Sequence, residues 1–241
     1  MQNTFHCRAC TNDTSKDIGT KGLYNFLQCD ACDTVTVAPF PSLDELKRFY
    51  EAYAGTTDYT KKEKRKIQRS MRRIVRLQKF TQGRSFLDVG CNYGFSVVAA
   101  HALGLDAHGI DVDSTAIASN QQRYAGRGAF TYTPVEEYAA TGKKADIIYT
   151  SEVIEHVPDT NSFVAALANI LNPGGVAYIT TPDAGHFRVP KDFTAWDAAI
   201  PPEHIVYFTR KGMKSLLERH GFKDVRFAFN LKPGLRVTAT R

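Results

Sequence analysis

From Phe80 onward, short apolar runs alternate with mixed segments of helical length, a periodicity that reads as strand, helix, strand, helix. Phe86-Leu87-Asp88-Val89 is an apolar run that ends in Asp-x-Gly, Gly94 follows Gly90 by four residues, and Ser96–Ala102 then suits a helix. This is the pattern of a buried parallel strand turning sharply into a helix, where glycines supply unusual backbone angles. The alternation continues with a strand over Asp106–Asp113, a helix from Ser114 to about Tyr124 and a strand over Ala129–Thr133. Pro134–Glu137 reads as a turn and Ala145–Ser151 as a fourth strand. A helix from about Asn161 to Leu171 leads into Asn172-Pro173-Gly174-Gly175, a strong turn signal, and a strand over Val176–Thr181. A helix from about Arg210 to His220 stops at Gly221, placed as a C′ residue. Phe222–Phe229 and Arg236–Thr240 then predict a terminal strand pair around Lys232-Pro233-Gly234. Strand and helix alternating at this spacing predict an α/β fold with a doubly wound, mostly parallel sheet of seven strands and an antiparallel edge.

The first eighty residues follow other patterns. Leu23–Leu27 reads as a hairpin strand, and the prolines of Ala38-Pro39-Phe40-Pro41 break structure. Ser42 with Glu45 three residues on is a capping-box start to a helix running to about Ala54. Lys61–Lys79 predicts a helix with an apolar stripe of Ile67, Met71, Ile74, Val75 and Leu77 on an otherwise basic surface. Clustered Lys and Arg, with a net charge of +6 for the chain, suit a nucleic-acid patch, steering of an anionic small substrate, or a solvated helix over the core. No aromatic residues interleave the cluster to stack on bases, so the solvated helix is preferred.

Composition adds limits. A chain of 241 residues, 43% hydrophobic and 23% charged, holds one α/β domain of ordinary size and a small appendage. No apolar stretch is long enough to span a bilayer, and Met1–Phe5 lacks the apolar core of a signal peptide. A cytoplasmic protein with reduced cysteines is expected. Cys7-x-x-Cys10 and Cys29-x-x-Cys32 each fit a knuckle that presents two thiolates, and together they close a tetrahedral Cys₄ zinc site. A closed shell of four thiolates has a structural role, and a piece this small takes much of its folding free energy from the metal. A disulfide pair is the competing reading, and His6 is a surplus surface histidine.

The glycine turn can be interpreted by subtraction. No Gly-Lys-Ser/Thr follows it, so it is not a phosphate-binding P-loop, and the G-x-G-x-x-G dinucleotide fingerprint is absent. Asp88, two residues before Gly90, would repel a phosphate but accept from an ammonium group, or order the turn and a water that does so. Asp111, about twenty residues on at the tip of the second strand, is placed to accept from both ribose hydroxyls of an adenosine. An adenosine ligand that carries an ammonium points to S-adenosylmethionine.

With Leu87-Asp88-Val89-Gly90-Cys91-Asn92-Tyr93-Gly94, Gly109-Ile110-Asp111, Ser151-Glu152-Val153-Ile154-Glu155-His156-Val157 and Leu171-Asn172-Pro173-Gly174-Gly175, the chain resembles class I S-adenosylmethionine-dependent methyltransferases. The resemblance covers about Phe80 to Arg241 and implies a Rossmann-like methyltransferase sheet. The Glu-Val-Ile-Glu-His-Val run is similar to the branch with ubiquinone-biosynthesis O-methyltransferases. The four cysteines and Pro201–Thr209 resemble a sub-group with an N-terminal zinc ribbon that methylates sugars, polysaccharide precursors or secondary metabolites. By this resemblance Asp88, Gly90, Asn92 and Gly94 wrap the methionine moiety, and Asp111 holds the ribose. Val112 flanks the adenine, Val135 and Glu136 lie near its edge, and Ser151 lies beneath the sulfonium. Asn92 departs from the family's middle glycine, at a position where Asn is among the residues least penalised.

Methyl transfer needs alignment and, for a hydroxyl acceptor, a base. His156 and His204 are the candidates, each with a structural role as the alternative, and His186 ranks below them. Asp183–Pro202, with Phe187, Phe193 and Trp196, is expected to cover the substrate side, or else to be a packing insert. The expected organisation is a zinc ribbon over 1–41, a helical linker and basic helix over 42–80, and the cofactor-binding domain over 81–241. A small-molecule acceptor, anionic ones included, is the leading reading. An RNA methyltransferase and a non-catalytic interaction protein docking through the zinc ribbon are the alternatives.

Overall fold

Strand β4, Ser85–Val89, occupies the middle of the main sheet because Phe86, Leu87 and Val89 must all be buried, at 4% exposure or less. In the computed structural model, which describes residues 5–42, 44–46, 48 and 62–241, β4 lies parallel to β5 (Asp106–Asp111) on one side and to β7 (Ala145–Ser151) on the other. β6 (Ala129–Tyr132) adds to β5, and β8 (Leu171–Thr181) adds to β7, both parallel. β11 (Leu235–Thr240) runs antiparallel to β8, and β10 (Lys223–Phe227) antiparallel to β11. The order β10-β11-β8-β7-β4-β5-β6 reverses direction at the β4–β7 pair, the switch point where open α/β sheets bind ligands.

Period-two alternation sends successive side chains to opposite faces. Leu87, Ile110, Ile148 and Ile179 join one buried layer, with helices α5 (Thr160–Ile170) and α6 (Arg210–Arg219). Phe86, Ile147, Tyr149 and Tyr178 join the other, beneath α1 (Glu63–Leu77) and α2 (Phe95–Ala102). Helices α3 (Ser114–Arg123) and α5 start on Asp113 and Asp159, whose carboxylates accept from the first free amides, and Thr209 does the same for α6. Gly221 takes φ +84° past the end of α6, as its placement predicts.

Several sequence expectations need correction. Pro134–Glu137 is no free turn: Pro134 caps helix α4 (Val135–Ala140), whose first turn carries Glu136 and Glu137 at its positive end. Asn172–Gly175 keeps its turn chemistry, with Gly174 at φ +77°, but lies inside β8 as a bulge. Leu171 pairs with Ala145, and the ladder resumes with Val176 opposite Ile147. In α1 the buried positions are Ser70, Ile74 and Leu77, while Val75 is 45% exposed because it stands about 100° from Ile74 around the helix. The Ser42–Glu45 capping box is present, each side chain accepting from the other residue's amide. Residues 49–54 of the helix expected there lie outside the described residues.

The N-terminal strands β1 (Ser15–Lys21), β2 (Tyr24–Cys29) and β3 (Val35–Ala38) form an antiparallel meander. Its fourth strand is β9, Val206–Tyr207, from the long segment after β8. Phe193 and Trp196 of that segment are buried rather than presented to a ligand. Phe193 meets Phe26 at 5.0 Å and Tyr207 at 5.3 Å between ring centroids. The meander and the main sheet therefore share one core. Phe26→Ala should lower stability by about 3–5 kcal/mol, and chemical denaturation followed separately by β2 and β5 amide probes should show one coincident transition.

Candidate functional site

At the carboxyl end of β4 the chain reverses within a few residues, and the local geometry leaves little choice of side chain. Gly90 and Gly94 take φ +74° and +70°. A Cβ on Gly90 would stand 2.4 Å from Val153 Cγ2, and one on Gly94 would stand 2.7 Å from Phe130 Cε1. Asn92 also has positive φ, at +41°. The N–H groups of Gly90 and Cys91 both donate to the Ile110 carbonyl, at 2.9 and 3.0 Å. The Asn92 N–H donates to Asp111 Oδ2 at 2.7 Å, and Asn120 Nδ2 donates to the Asn92 carbonyl. The loop is thereby fastened to the end of β5.

Asp111 takes a second bond on Oδ1 from the Asp113 N–H, at 2.9 Å. A carboxylate has about four lone-pair sites, so this partly exposed group retains acceptor capacity. Burial pushes its pKa up. Asp88 lies deeper, at 3% exposure, and accepts from the Ser96 hydroxyl in the first turn of α2. Burial pushes its carboxyl up to about 7, against the Ser96 bond and helped by the neighbouring Asp111 charge. Asp88 thus orders the turn from beneath.

The other expected donor-site residues also stand at the carboxyl edge of the sheet. Val112 is 67% exposed on the lip beyond β5, and Glu136 is exposed at the start of α4. The side chain of Val135 is buried, so that residue can offer a ligand only its backbone. Ser151 ends β7, with its hydroxyl 2.7 Å from that of Thr180.

Across the switch point, the end of β7 folds tightly. Glu152 adopts φ +58°, donates its N–H to the Thr180 carbonyl at 2.8 Å and accepts from the Thr180 hydroxyl at 2.8 Å. A 3-10 turn over Ile154–His156 follows. Glu155 is fully buried. Its Oε2 accepts from Thr181 at 2.9 Å, while Oε1 has no hydrogen-bond partner among the described residues and lies 3.9 Å from His156 Nε2. Burial raises the pKa of Glu155 well above the usual range, the Glu152 charge adding to the effect.

The fold brings His156 and His204 together, with ring centroids 4.8 Å apart and planes at 72°. His156 donates from Nδ1 to the Glu203 carbonyl at 2.7 Å, and His204 from Nδ1 to the Ala198 carbonyl at 2.8 Å. These bonds fix the neutral tautomer with its lone pair on Nε2, the form that a base requires. Burial, then the neighbouring His204, depresses His156 to about 4, and burial also lowers His204. Glu155, His156 and His204 each place one donor atom within 4.8 Å of the others, a compact set for handling a proton or a cation. His186 stands apart, its Nε2 donating to the Asn230 carbonyl and its Nδ1 accepting from the Arg188 N–H. It ties two loops together.

Arg73 has a role that its sequence context hides. It reaches from α1 to the face of the sheet, donating to the Tyr149 hydroxyl at 2.8 Å with its guanidinium 5.7 Å from the Tyr178 ring centroid. Its position three residues after buried Ser70 and four before buried Leu77 is the one clue to that placement. Lys66 likewise turns inward over Phe95. Part of the basic surface is therefore committed to packing.

The four cysteines gather as their spacing requires, with all four sulfurs within 4.8 Å of one another. Cys7 lies 3.5 Å from Cys32, and Cys10 lies 3.6 Å from Cys29. A hydrogen bond from Cys7 brings the Cys32 thiol down to about 5 and pushes Cys7 up. Four converging sulfurs, one readily ionised, fit the chemistry of tetrahedral zinc. His6 is engaged at the surface with Asp13, at 2.6 Å.

Residues 59–226 match the family described as a methyltransferase domain. The ubiquinone biosynthesis O-methyltransferase of Bordetella avium is 34% identical over 138 residues, covering 56% of this chain and 55% of that protein. That of Bartonella tribocorum is 32% identical, covering 52% and 50%. The chain thus spans about half the length of these curated relatives. Among solved structures, the 1,6-didemethyltoxoflavin-N1-methyltransferase of Burkholderia thailandensis, bound to its namesake and S-adenosylhomocysteine, aligns with a TM-score of 0.61 and 17% identity, covering 94% of this chain and 99% of that one. A SAM-dependent methyltransferase from Archaeoglobus fulgidus aligns at 0.59 and 18%, covering 81% and 99%. At these identities the structures show the shared fold.

The raised pKa of Asp88 has a consequence for stability. Between the unfolded value of 3.8 and about 7 the folded chain binds more protons than the unfolded one. Its contribution to stability therefore falls as pH rises through that window, by at most about 1.4 kcal/mol for each pH unit, and levels off above about 7. Urea midpoints from pH 4.5 to 8 should show this decline, and Asp88→Asn should make it shallower, the raised Asp111 and Glu155 carboxyls keeping the remainder.

Proposed function

Because this chain belongs to the methyltransferase domain family, we propose that it transfers a methyl group from S-adenosylmethionine to a hydroxyl of a small molecule. The observation that carries this reading is the joint held by Asp111: its carboxylate orders the Asn92 N–H of the glycine turn and stays partly exposed at the carboxyl end of β5. One group can thus shape the pocket for the methionine end and accept from the ribose hydroxyls. Val112 then borders the adenine, with Glu136 and the Val135 backbone near its edge, and Ser151 lies under the sulfonium. The turn of Gly90, Asn92 and Gly94 encloses the methionine moiety above Asp88.

Bound there, S-adenosylmethionine supplies an electrophilic methyl group. The chain's residues hold the acceptor in line and take its proton. In this reading the acceptor meets the paired histidines beyond the carboxyl end of β7, whose Nδ1 bonds direct the neutral ring's lone pair to Nε2. S-adenosylmethionine held at the glycine turn would give up its methyl group to the acceptor oxygen and keep the bonding electron pair, and an imidazole Nε2 would take the hydroxyl proton. Relatives named O-methyltransferases support oxygen as the acceptor atom. Cys7, Cys10, Cys29 and Cys32 hold a structural zinc in this reading, away from the transfer.

Calorimetry with S-adenosylmethionine should show micromolar-range binding that Asp111→Ala weakens at least 100-fold. Unchanged affinity in that variant would refute the reading. With an acceptor found by S-adenosylhomocysteine release from a panel of phenols, catechols and sugars, His156→Ala and His204→Ala should lower turnover by about 10²–10⁴. Donor affinity should stay within twofold in both.

A further inference from the structure

His204 belongs to a segment that its own chemistry cannot hold in place. Between the end of β8 at Thr181 and β9 the described structure contains one 3-10 turn, Phe193–Ala195, and no strand. β9 itself is two residues long, too short to persist without a partner. The partner is β3, which starts three residues after Cys32: Val35 pairs with Tyr207, Thr36 with Val206, and the Val37 N–H donates to the Ile205 carbonyl at 3.2 Å. The Thr209 hydroxyl donates to the Cys32 carbonyl at 2.6 Å. On its other side the same segment meets the 3-10 turn that carries His156, the Ile205 N–H donating to the Glu155 carbonyl at 2.9 Å and the Glu203 carbonyl accepting from His156 at 2.7 Å. Ile205, Val206, Tyr207 and Phe208 are all fully buried in this sandwich. The Tyr207 hydroxyl donates to the His204 carbonyl at 3.0 Å, and the Tyr207 ring packs 5.8 Å from that of Phe26 in β2.

The cysteine knuckles are in turn seated on the main domain. The Thr160 hydroxyl at the start of α5 donates to the Arg8 carbonyl at 2.7 Å, and Arg219 in α6 donates to the Ala9 carbonyl at 2.8 Å. A Cβ on Gly212 would stand 1.9 Å from Thr34 Oγ1, so the start of α6 approaches the second knuckle as closely as backbone allows.

We propose that β3, anchored by the four-cysteine knot, is a positioning element of the active site: it holds the Glu203–Phe208 segment, and with it His204, against His156. The module at the N-terminus then acts on the acceptor side of the reaction, through Val37 and Ile205, without touching a substrate. This inference rests on the reading of the two histidines as the acceptor-side pair. The donor pocket at β4 and β5 should be indifferent to it, since none of these contacts reaches Asp88 or Asp111.

The test uses the whole chain in two forms: Val37→Pro, which removes the N–H donated to Ile205 and leaves every cysteine in place, and the parent protein stripped of metal by a chelator under reducing conditions. Amide hydrogen exchange and the ring resonances of His156 and His204 are read in each. In both forms the Ile205 amide should exchange at least tenfold faster and the His204 ring resonances should move, while β4 and β5 amides keep their protection and S-adenosylmethionine affinity stays within twofold. If chelation unfolds the whole chain, Val37→Pro decides alone. Ile205 protection and histidine resonances equal to the parent's in that variant would overturn the proposal. Loss of donor binding in the parent would instead refute the methyltransferase reading, because the exchange comparison does not depend on it.

Discussion

Asp111 is the group on which the turn after β4 depends. Two parallel strands, β4 and β5, end side by side, and the loop leaving β4 has to turn back before α2 can pack. Backbone donors at Gly90 and Cys91 find the Ile110 carbonyl, but the Asn92 N–H, in a residue at positive φ, bonds no backbone carbonyl and takes a side-chain acceptor. Asp111 meets that need and steers its own strand's exit through Asp113 with the other oxygen. A hydrogen bond to a charged group contributes about 1.5–3 kcal/mol, enough to offset the strain of a non-glycine residue there. The same arrangement leaves a partly exposed carboxylate at the carboxyl end of β5. In the proposed reading, structure and ligand chemistry share this one residue.

The proposed acceptor side is built differently. There the key contacts join residues far apart in the chain: His156 to the Glu203 carbonyl, Ile205 to Glu155, and Val37 to Ile205. No rigid strand end supplies His204; it is held between a 3-10 turn and a borrowed meander strand. The contrast suits the two tasks. A common donor needs a preformed pocket, whereas acceptors differ between enzymes and are met by loops whose geometry can be set from outside the main sheet.

The parallel strands, their helices and the cysteine cluster are legible in the sequence because each is written locally, as a hydrophobic run, a capping residue or a C-x-x-C pair. Asp88, Gly90, Asn92, Gly94 and Asp111 are legible for the same reason, being tied to the ends of those strands. What stays hidden depends on pairing at a distance. Two residues, Val206 and Tyr207, carry no strand periodicity of their own, and only β3 makes them a strand. Pro134 resembles a turn residue in isolation, but two glutamates behind it make it a helix cap. Asn172–Gly175 has every mark of a turn, yet flanking ladders on β7 retain it as a bulge. Arg73 reads as one more surface cation until the sheet presents two tyrosines to it. His156 and His204, 48 positions apart in the chain, can be named from the sequence as two candidates but not as a pair.

In the proposed reading the donor binds at the Asp111 joint. A crystal structure of the chain with S-adenosylhomocysteine tests it most directly. Both ribose hydroxyls are expected on the Asp111 carboxylate, the adenine against Val112, and the amino-acid end inside the Gly90–Gly94 turn. An adenosine bound elsewhere, or one whose ribose makes no contact with Asp111, would contradict it.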